Sequence, residues 1–233
     1  TNSLTYSSDG VTWTTVASSP FTVACYGLAW GNRWVGVGNG ASFSLAYSSD
    51  GITWSGINKT TFTTQGNGVA WNGSAYVAVG QGANTITYSY SSSTDAPVGI
   101  GTGFGASTGT VFNTTSGSGN GVVWGNNTWV AVGTDDTTFT TVTNTIISST
   151  DSTGATGWTG RGITMFSKAG YGVIYANSLF VALGEGTNTV AWSTNGTAWT
   201  AGTGSPFTKG RAVAWNGTKF IAVGSGTSVS TTM

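Results

Sequence analysis

Gly68-Val-Ala-Trp71, followed closely by Tyr76-Val-Ala-Val-Gly80, is the stretch that decides the fold, because near copies of it recur along the chain. Copies of the first half are Gly27-Leu-Ala-Trp30, Gly121-Val-Val-Trp124, Gly172-Val-Ile-Tyr175 and Ala212-Val-Ala-Trp215. Copies of the second half are Trp34-Val-Gly-Val-Gly38, Trp129-Val-Ala-Val-Gly133, Phe180-Val-Ala-Leu-Gly184 and Phe220-Ile-Ala-Val-Gly224. Self-similarity with a period of about 40 to 50 residues indicates a repeat architecture.

Each unit has a second part that contains a turn. Tyr6-Ser-Ser-Asp-Gly-Val-Thr-Trp13 and Tyr47-Ser-Ser-Asp-Gly-Ile-Thr-Trp54 are near copies of each other, and Trp192-Ser-Thr-Asn-Gly-Thr-Ala-Trp199 is a diverged one. In the remaining units the motif is stretched, from Ser148 to Trp158, or has lost its Trp, from Tyr88 to Asp95. Asp-Gly and Asn-Gly pairs favour tight hairpin turns. A unit is therefore predicted to be four hairpin-linked strands, which is the blade of a β-propeller.

The order of the units predicts how the ring closes. The chain opens with a third and fourth strand, between Leu4 and Val16, and ends with a first and second, between Ala212 and Gly224. The fold prediction is an all-β, five-bladed β-propeller of four-stranded antiparallel blades, forming a single domain over residues 1–233. N-terminal and C-terminal strands close the ring in a shared blade. The units are 27–67, 68–120, 121–171, 172–211, and 212–233 together with 1–26. In the alternative, residues 227–233 supply the third strand of that blade.

The motif Ser-x-Asp-Gly-x-Thr-Trp resembles the Asp-box of BNR-repeat and sialidase-type propellers, although one residue that usually separates Asp from Gly is missing. Ser7 to Trp13 and Ser48 to Trp54 match it most cleanly. The resemblance implies blades, and it implies that these turns are a folding device on the face away from any active site. An Asp that caps the amides of its own turn, above a buried Trp, explains the motif without a catalytic role.

Composition excludes several classes of function. Charged residues make up 6%, the formal net charge is zero and histidine is absent. Seven scattered cations do not form the concentrated positive face that nucleic acid requires. No apolar stretch approaches the roughly 18 residues of a membrane-spanning helix. Cys25 is the single cysteine, so no intramolecular disulfide forms, and its apolar flanks predict an inert thiol.

The candidate ligand-binding residues follow the end of each second strand, where the repeat frame is constant but the next residue differs in every unit. They lie on the face that carries the longer loops, where binding residues usually occur. The third unit adds an acidic pair, whose carboxylate oxygens are the kind of ligand that Ca²⁺ binds. Two adjacent carboxylates alone are weak evidence for a calcium site. We therefore predict no metal site and no cofactor. The candidates are Asn39, Gln81, Thr134, Asp135, Asp136, Glu185 and Ser225.

Three functions remain open. Sialidase chemistry needs three clustered arginines, but Arg33, Arg161 and Arg211 fall at unrelated positions in the repeat. A glycosidase also needs two carboxylates close to each other. We therefore predict no enzyme. The favoured hypothesis is a lectin-like adhesion module, on a virion, phage tail or cell surface, that contacts glycans or neighbouring proteins. A purely structural capsid or appendage component is the second hypothesis, and a glycoside hydrolase of sialidase-like ancestry is the third.

Overall fold

The computed structural model describes residues 3–91, 97–98, 104–109, 111–204 and 207–226. Those residues form 21 strands, connected by turns and loops, and contain no helix. In that part of the chain, accordingly, we find no helix with the length and apolar character needed to span a membrane. The prediction of an all-β chain is confirmed.

The strands form sheets that follow one another along the chain. The first sheet comprises β1 (Thr5–Tyr6) and β2 (Thr14–Thr15). The second comprises β3 (Ala24–Trp30), β4 (Trp34–Asn39), β5 (Phe43–Ser48) and β6 (Ser55–Asn58). The third comprises β7 (Gln65–Trp71), β8 (Ala75–Gln81), β9 (Ile86–Ser91), β10 (Pro97–Val98) and β11 (Gly105–Ala106). The fourth comprises β12 (Ser118–Gly125), β13 (Thr128–Thr134), β14 (Ile146–Ser149) and β15 (Thr159–Gly160).

The last sheet combines a complete unit with half of another. Its strands are β16 (Ala169–Ala176), β17 (Leu179–Glu185), β18 (Val190–Ser193), β19 (Thr200–Ala201), β20 (Phe207–Trp215) and β21 (Phe220–Gly226). β16 to β19 form an antiparallel meander like those of β3 to β6 and β12 to β15, and β20 joins β17 through a single bridge between Lys209 and Glu185. These four-stranded antiparallel sheets are those that the repeat predicted.

The Asp-Gly motif folds into a self-capped turn. Asp50 Oδ1 accepts hydrogen bonds from the amides of Ile52 and Thr53, at 2.8 and 2.7 Å, and the Ser48 hydroxyl accepts one from the Gly51 amide. Gly51 has a φ of 75°, which a residue with a side chain rarely adopts. Trp54 Nε1 donates to the Gly51 carbonyl at 3.0 Å. The turn is thus complete in itself, as a folding device requires.

Successive sheets pack face to face through their inner strands, which lie side by side in the order β3, β7, β12, β16 and β20. Val35 and Val37 of β4 are fully buried against the next sheet, where Val69 and Trp71 of β7 meet them. The same arrangement recurs between the third and fourth sheets and between the fourth and fifth. The core therefore lies between the sheets, as in a propeller.

Glycines in the inner strands allow this close approach. A Cβ on Gly66, Gly119 or Gly170 would lie 2.6 to 2.7 Å from the Cβ of a valine in the preceding sheet. Only a hydrogen atom fits at these three positions, so the three junctions between successive sheets have the same close spacing. The recurring phenylalanines also have a packing role, since Phe21, Phe62, Phe112 and Phe166 are fully buried.

The described strands do not form a closed ring. β1 and β2 pair with each other and with no other described strand, and β21 pairs only with β20. Five blades and closure in a shared blade therefore stay predictions, and residues 227–233 lie outside the described part of the chain. Trp13, expected to be buried beneath its turn, is instead 61% exposed beside this open end. It lacks the preceding sheet that would cover it.

Candidate functional site

The predicted ligand-binding positions are structurally equivalent. Each is paired with the same register position of its inner strand, at the end where the second strand finishes. The pairs are Asn39 with Ala24, Gln81 with Gln65, Thr134 with Ser118, Glu185 with Ala169 and Ser225 with Lys209. The five positions therefore lie along one edge of consecutive sheets, which we call the site edge.

The candidates differ in how their atoms are used. Asn39 Oδ1 accepts a hydrogen bond from Lys59 Nζ at 3.2 Å. Gln81 is half-buried, and its backbone carbonyl accepts from the Thr64 amide. Ser225 is exposed, and its carbonyl accepts from the Thr208 hydroxyl. These three positions show no converging side chains.

Asp136 organises its own loop and is almost fully buried. Its two carboxylate oxygens accept six hydrogen bonds, from the amides and hydroxyls of Thr138, Thr140 and Thr141. The hydroxyls of Thr138 and Thr140 are the largest cause of a strongly lowered pKa for this carboxyl. Thr134, also buried, donates its hydroxyl to the Asp136 carbonyl at 2.9 Å. The acceptor capacity of Asp136 is used within the loop.

Asp135 is likewise buried, with 9% of its surface exposed. Its Oδ2 accepts from the Thr143 hydroxyl and from the amide of Asn144 at 2.8 Å, while Oδ1 has no hydrogen-bond partner among the residues that the structure describes. Within the described residues no group of three or more metal-ligating side chains comes together. Thr134, Asp135 and Asp136 therefore form a turn-stabilising cluster rather than an open binding surface.

Glu185 alone among the candidates belongs to a converging cluster of charged and aromatic side chains. Lys209 Nζ lies 2.7 Å from Glu185 Oε2 and Lys168 Nζ lies 3.2 Å from Oε1. The hydroxyl of Tyr171 donates to Oε2 at 3.0 Å. Arg211 stacks over the Tyr171 ring, with its guanidinium carbon 4.8 Å from the centroid. We call these five residues the Glu185 cluster.

The charges and hydrogen bonds of the cluster favour the ionised form of Glu185 and the protonated form of Lys209. Burial acts to raise the pKa of Glu185, but the hydrogen bonds from Lys209, Tyr171 and Lys168 outweigh it, so that the net shift is downward. The hydrogen bond with Glu185 is the largest cause of a raised pKa for Lys209. Burial, followed by the hydrogen bond to Glu185, raises the pKa of Tyr171. At neutral pH two lysines contact the Glu185 carboxylate and Arg211 lies on the Tyr171 ring, so the cluster contains three cations and one anion.

Sequence reasoning missed Tyr171 as a site residue, and it missed the row of positions to which Tyr171 belongs. Each inner strand has a β-bulge one residue before its Gly-Val-Ala-Trp segment, and bulges often re-aim a side chain beside a functional site. The bulged residues are Tyr26, Asn67, Asn120, Tyr171 and Arg211. The available signal was their variation in type within an otherwise constant glycine frame.

The bulged residues link neighbouring sheets. Asn67 Nδ2 donates to the Ser118 hydroxyl at 3.0 Å and to the Gly119 carbonyl at 2.8 Å. Asn120 Nδ2 donates to the Gly170 carbonyl of the following sheet at 2.9 Å. Side-chain hydrogen bonds of the bulged residues thus connect the third sheet to the fourth and the fourth to the fifth, where the Glu185 cluster lies. Among the described residues, that cluster is the charged part of this row of positions.

No family model matches the chain, and no curated protein matches it. Solved structures match in fold. The computationally designed Ika8 protein is 14% identical, with a TM-score of 0.56 over 89% of this chain and 58% of that one. YCF48 from Cyanidioschyzon merolae is 15% identical, with a TM-score of 0.52 over 85% of this chain and 62% of that one. The GH74 enzyme of Niastella koreensis is 16% identical, with a TM-score of 0.53 over 86% of this chain and 28% of that one.

These neighbours are β-propellers, so the chain has a propeller-type fold. The chain spans 28% to 62% of the length of the three matched proteins. They include an enzyme, and identities near 15% give no information on activity.

Proposed function

We propose that the chain is a non-enzymatic binding module whose ligand site is the Glu185 cluster. The observation that carries this proposal is the convergence of Lys168, Tyr171 and Lys209 on Glu185, with Arg211 stacked on Tyr171. Cations beside the half-buried ring of Tyr171 are suited to a sugar that bears an acidic group, or to an acidic protein surface.

The charge balance points to an acidic ligand. The one negative charge of Glu185 balances one of the three positive charges of the cluster, and the Lys168 side chain remains 49% exposed. Arg211 is exposed, with its guanidinium on the Tyr171 ring. A planar guanidinium in this position recognises carboxylate, sulfate or phosphate through paired hydrogen bonds. We therefore favour an acidic glycan over a neutral one.

The geometry disfavours the glycosidase alternative. A glycosidase acid needs a raised pKa, whereas the pKa values of Glu185 and Asp136 are both lowered. The arginines do not cluster either. Arg33 lies in the turn between β3 and β4, and Arg161 donates two hydrogen bonds to the Ser148 hydroxyl.

Kinship with Asp-box propellers, five blades and a location outside cells or on a virion surface all belong to this proposal. Self-capped turns such as that of Asp50 support the kinship. The purely structural alternative is favoured by a different observation, namely the exposed apolar residues Leu28, Trp30, Ile221 and Val223 at the two ends of the row of sheets.

A glycan array that includes sialylated, sulfated and neutral sugars tests the function. We expect binding to acidic glycans, reduced at least about tenfold by Arg211→Ala, because one charge-assisted contact is worth more than 1.4 kcal/mol. Lys219→Ala is the matched control, since Lys219 lies in the β20–β21 turn at the opposite end of the strands. Absence of binding to any glycan at millimolar concentration would reject the glycan ligand. Hydrolysis of a fluorogenic glycoside that disappears in Glu185→Gln would reject the non-enzymatic assignment.

A further inference from the structure

A small cavity lies next to the Glu185 cluster and shares no residue with it. It has a volume of about 280 Å³ and is lined by residues 186–189, in the loop that follows β17, and by Gly202, Gly204, Phe207 and Thr208. β17 ends and β20 begins at the site edge, so both parts of the lining lie on that edge. We call this cavity the Gly202 pocket.

The pocket is open because a glycine replaces larger side chains of the repeat. The backbone amides of Gly202 and Arg161 donate to equivalent third-strand carbonyls, so these two residues hold the same repeat position. The second sheet has Ile57 there, which is 6% exposed and packs in the same cluster as Phe62, the counterpart of Phe207. In the fifth sheet, the place of these side chains is left open.

A second glycine enlarges the same space. Two residues beyond the first, Gly204 stands where the second sheet has Lys59. Lys59 Nζ donates to the Gly40 carbonyl at 2.8 Å and to Asn39 Oδ1 at 3.2 Å, so its side chain fills the space beside that loop. Asn39 is the repeat equivalent of Glu185. A Cβ on Gly204 would meet no described atom within 4 Å.

Hydrogen bonds from behind hold the loop of the pocket in place. The amide of Thr187 donates to the Ser167 hydroxyl at 3.0 Å. The backbone amide and Nδ2 of Asn188 both donate to the Met165 carbonyl at 3.1 Å, and Nδ2 also donates to the Thr164 carbonyl at 3.3 Å. A wall fixed in advance lowers the entropy cost of binding a ligand.

The lining groups are uncharged and suited to a sugar. Thr187 and Thr208 are exposed, and Phe207 contributes a half-buried aromatic ring. The Thr208 hydroxyl donates to the Ser225 carbonyl at 3.1 Å and keeps its lone pairs as acceptors. Hydroxyls beside one aromatic ring match the hydroxyls and the C–H face of a neutral sugar. The volume is near the lower end of the range for small-molecule sites, about 300 Å³, which corresponds to a single ring.

The pocket is contiguous with the Glu185 cluster. Gly186 directly follows Glu185, and Thr208 directly precedes Lys209. Glu185 and Lys209 are themselves bridge partners. Consecutive Cα atoms are about 3.8 Å apart, so the wall of the pocket begins within one residue of the cluster on both strands.

We propose that the Gly202 pocket is a subsite for one neutral sugar ring, next to the acidic group that the Glu185 cluster binds. The position of the acidic group rests on the proposed function, whereas the pocket is argued from its own lining. The preferred ligand is then an acidic oligosaccharide of at least two sugars rather than an acidic monosaccharide.

Titration calorimetry on the 233-residue chain tests the pairing of the two subsites. The probes are sialic acid and glucuronic acid, each as the methyl glycoside and each linked to glucose, galactose or N-acetylglucosamine. We expect at least one disaccharide to bind at least about tenfold more tightly than its acidic methyl glycoside, because it gains hydrogen bonds in the pocket. Equal affinities for all acidic monosaccharides and disaccharides would overturn the proposal.

Gly202→Ile tests the place of the second sugar, because it restores the side chain of the second sheet. A Cβ at Gly202 would lie 2.9 Å from Cγ1 of Val190, which is a half-buried side chain that can adjust. We expect the gain of the disaccharide to disappear while the affinity for the acidic methyl glycoside stays within about twofold. Retention of the gain in a folded Gly202→Ile variant, as judged by circular dichroism, would place the second sugar elsewhere and overturn the proposal.

Thr187→Val keeps the test decisive if Gly202→Ile does not fold. It removes one exposed hydroxyl and should weaken disaccharide binding about three- to tenfold. Thr197→Val is the matched control, since Thr197 is also exposed but lies in the β18–β19 turn at the opposite end of the strands. Equal effects of the two variants would contradict a sugar in the pocket.

Neutral methyl glycosides separate this proposal from the proposed function. At millimolar concentration, we expect one of the glucose, galactose or N-acetylglucosamine glycosides to shift the amide resonances of residues 186–189 and Thr208. Such shifts without any binding of acidic sugars would reject the acidic ligand and retain the pocket. Binding of acidic sugars, with no shift by any neutral glycoside and no gain for any disaccharide, would reject the pocket and retain the proposed function. If neither kind of sugar binds, both proposals are wrong.

Discussion

Gly119→Ala tests whether the spacing between sheets is what makes the repeat fold. A Cβ at Gly119 would lie 2.7 Å from Val79 Cβ and 2.8 Å from the carbonyl oxygen of Thr85, both in the preceding sheet. Neither atom can rotate away. Val79 is fully buried, and the Thr85 carbonyl already accepts a hydrogen bond from the Gly80 amide at 3.0 Å.

The magnitude follows from the contact distances. Relief to an ordinary contact of 3.4 Å requires a movement of about 0.7 Å between two packed sheets. Overpacking of this kind costs about 1–3 kcal/mol, and we expect about 3 kcal/mol because the obstructing atoms are backbone and Cβ atoms. At roughly 2–4 °C per kcal/mol for a chain of this size, the melting temperature should fall by about 6–12 °C.

Gly68→Ala is the matched control, since it adds the same methyl group to another inner strand. Its Cβ would lie 3.3 Å from the Asn120 carbonyl oxygen and from Val79 Cγ2, so a shift of a few tenths of an ångström suffices. We expect a destabilisation below about 1 kcal/mol. Urea unfolding followed by tryptophan fluorescence, at one fixed protein concentration, measures both variants. A Gly119→Ala variant within 1 kcal/mol of the parent, or equal losses in both variants, would refute the reasoning.

Three further predictions concern individual side chains. Asp50→Ala should lower the urea midpoint and Asp50→Asn should lower it less, because an uncharged amide oxygen still accepts from the same two turn amides, as Asn195 does in the equivalent turn. The amides of Thr53 and Ile52 lower the pKa of Asp50 to about 2, so its stabilising contribution should be present above the unfolded pKa near 4 and lost as the pH falls to about 2. Desolvation of the half-buried Cys25 thiol raises its pKa to about 11, so iodoacetamide at pH 8 should alkylate the folded chain far more slowly than the urea-unfolded chain; equal rates would contradict the raised pKa. Asp136→Ala should increase amide hydrogen exchange over residues 137–141, since three amides there donate to its carboxylate; unchanged exchange in that loop would show that the carboxylate does not order it.

Local features of the fold were predictable because the repeat encodes them locally. Asp50 and Gly51 specify a turn through their own backbone preferences, and the alternating valines of β4 specify a buried strand. Ring closure is a different kind of property, because it depends on the sum of small angles between sheets. No single residue encodes that sum, although Cys25 stands where the internal junctions have glycine.

The site was predicted only in part for a related reason. Glu185 was found because it varies within a constant frame. The acidic pair Asp135 and Asp136 was added because it lies in the same loop of the third unit, but both residues are buried and hydrogen-bonded to their own loop. The threonines that follow Asp135 and Asp136 can donate hydrogen bonds to these carboxylates, and their presence in the sequence indicated that the carboxylates stabilise the loop. Tyr171 was not selected from the sequence, because a β-bulge that turns its side chain toward Glu185 has no signal in hydrophobic alternation.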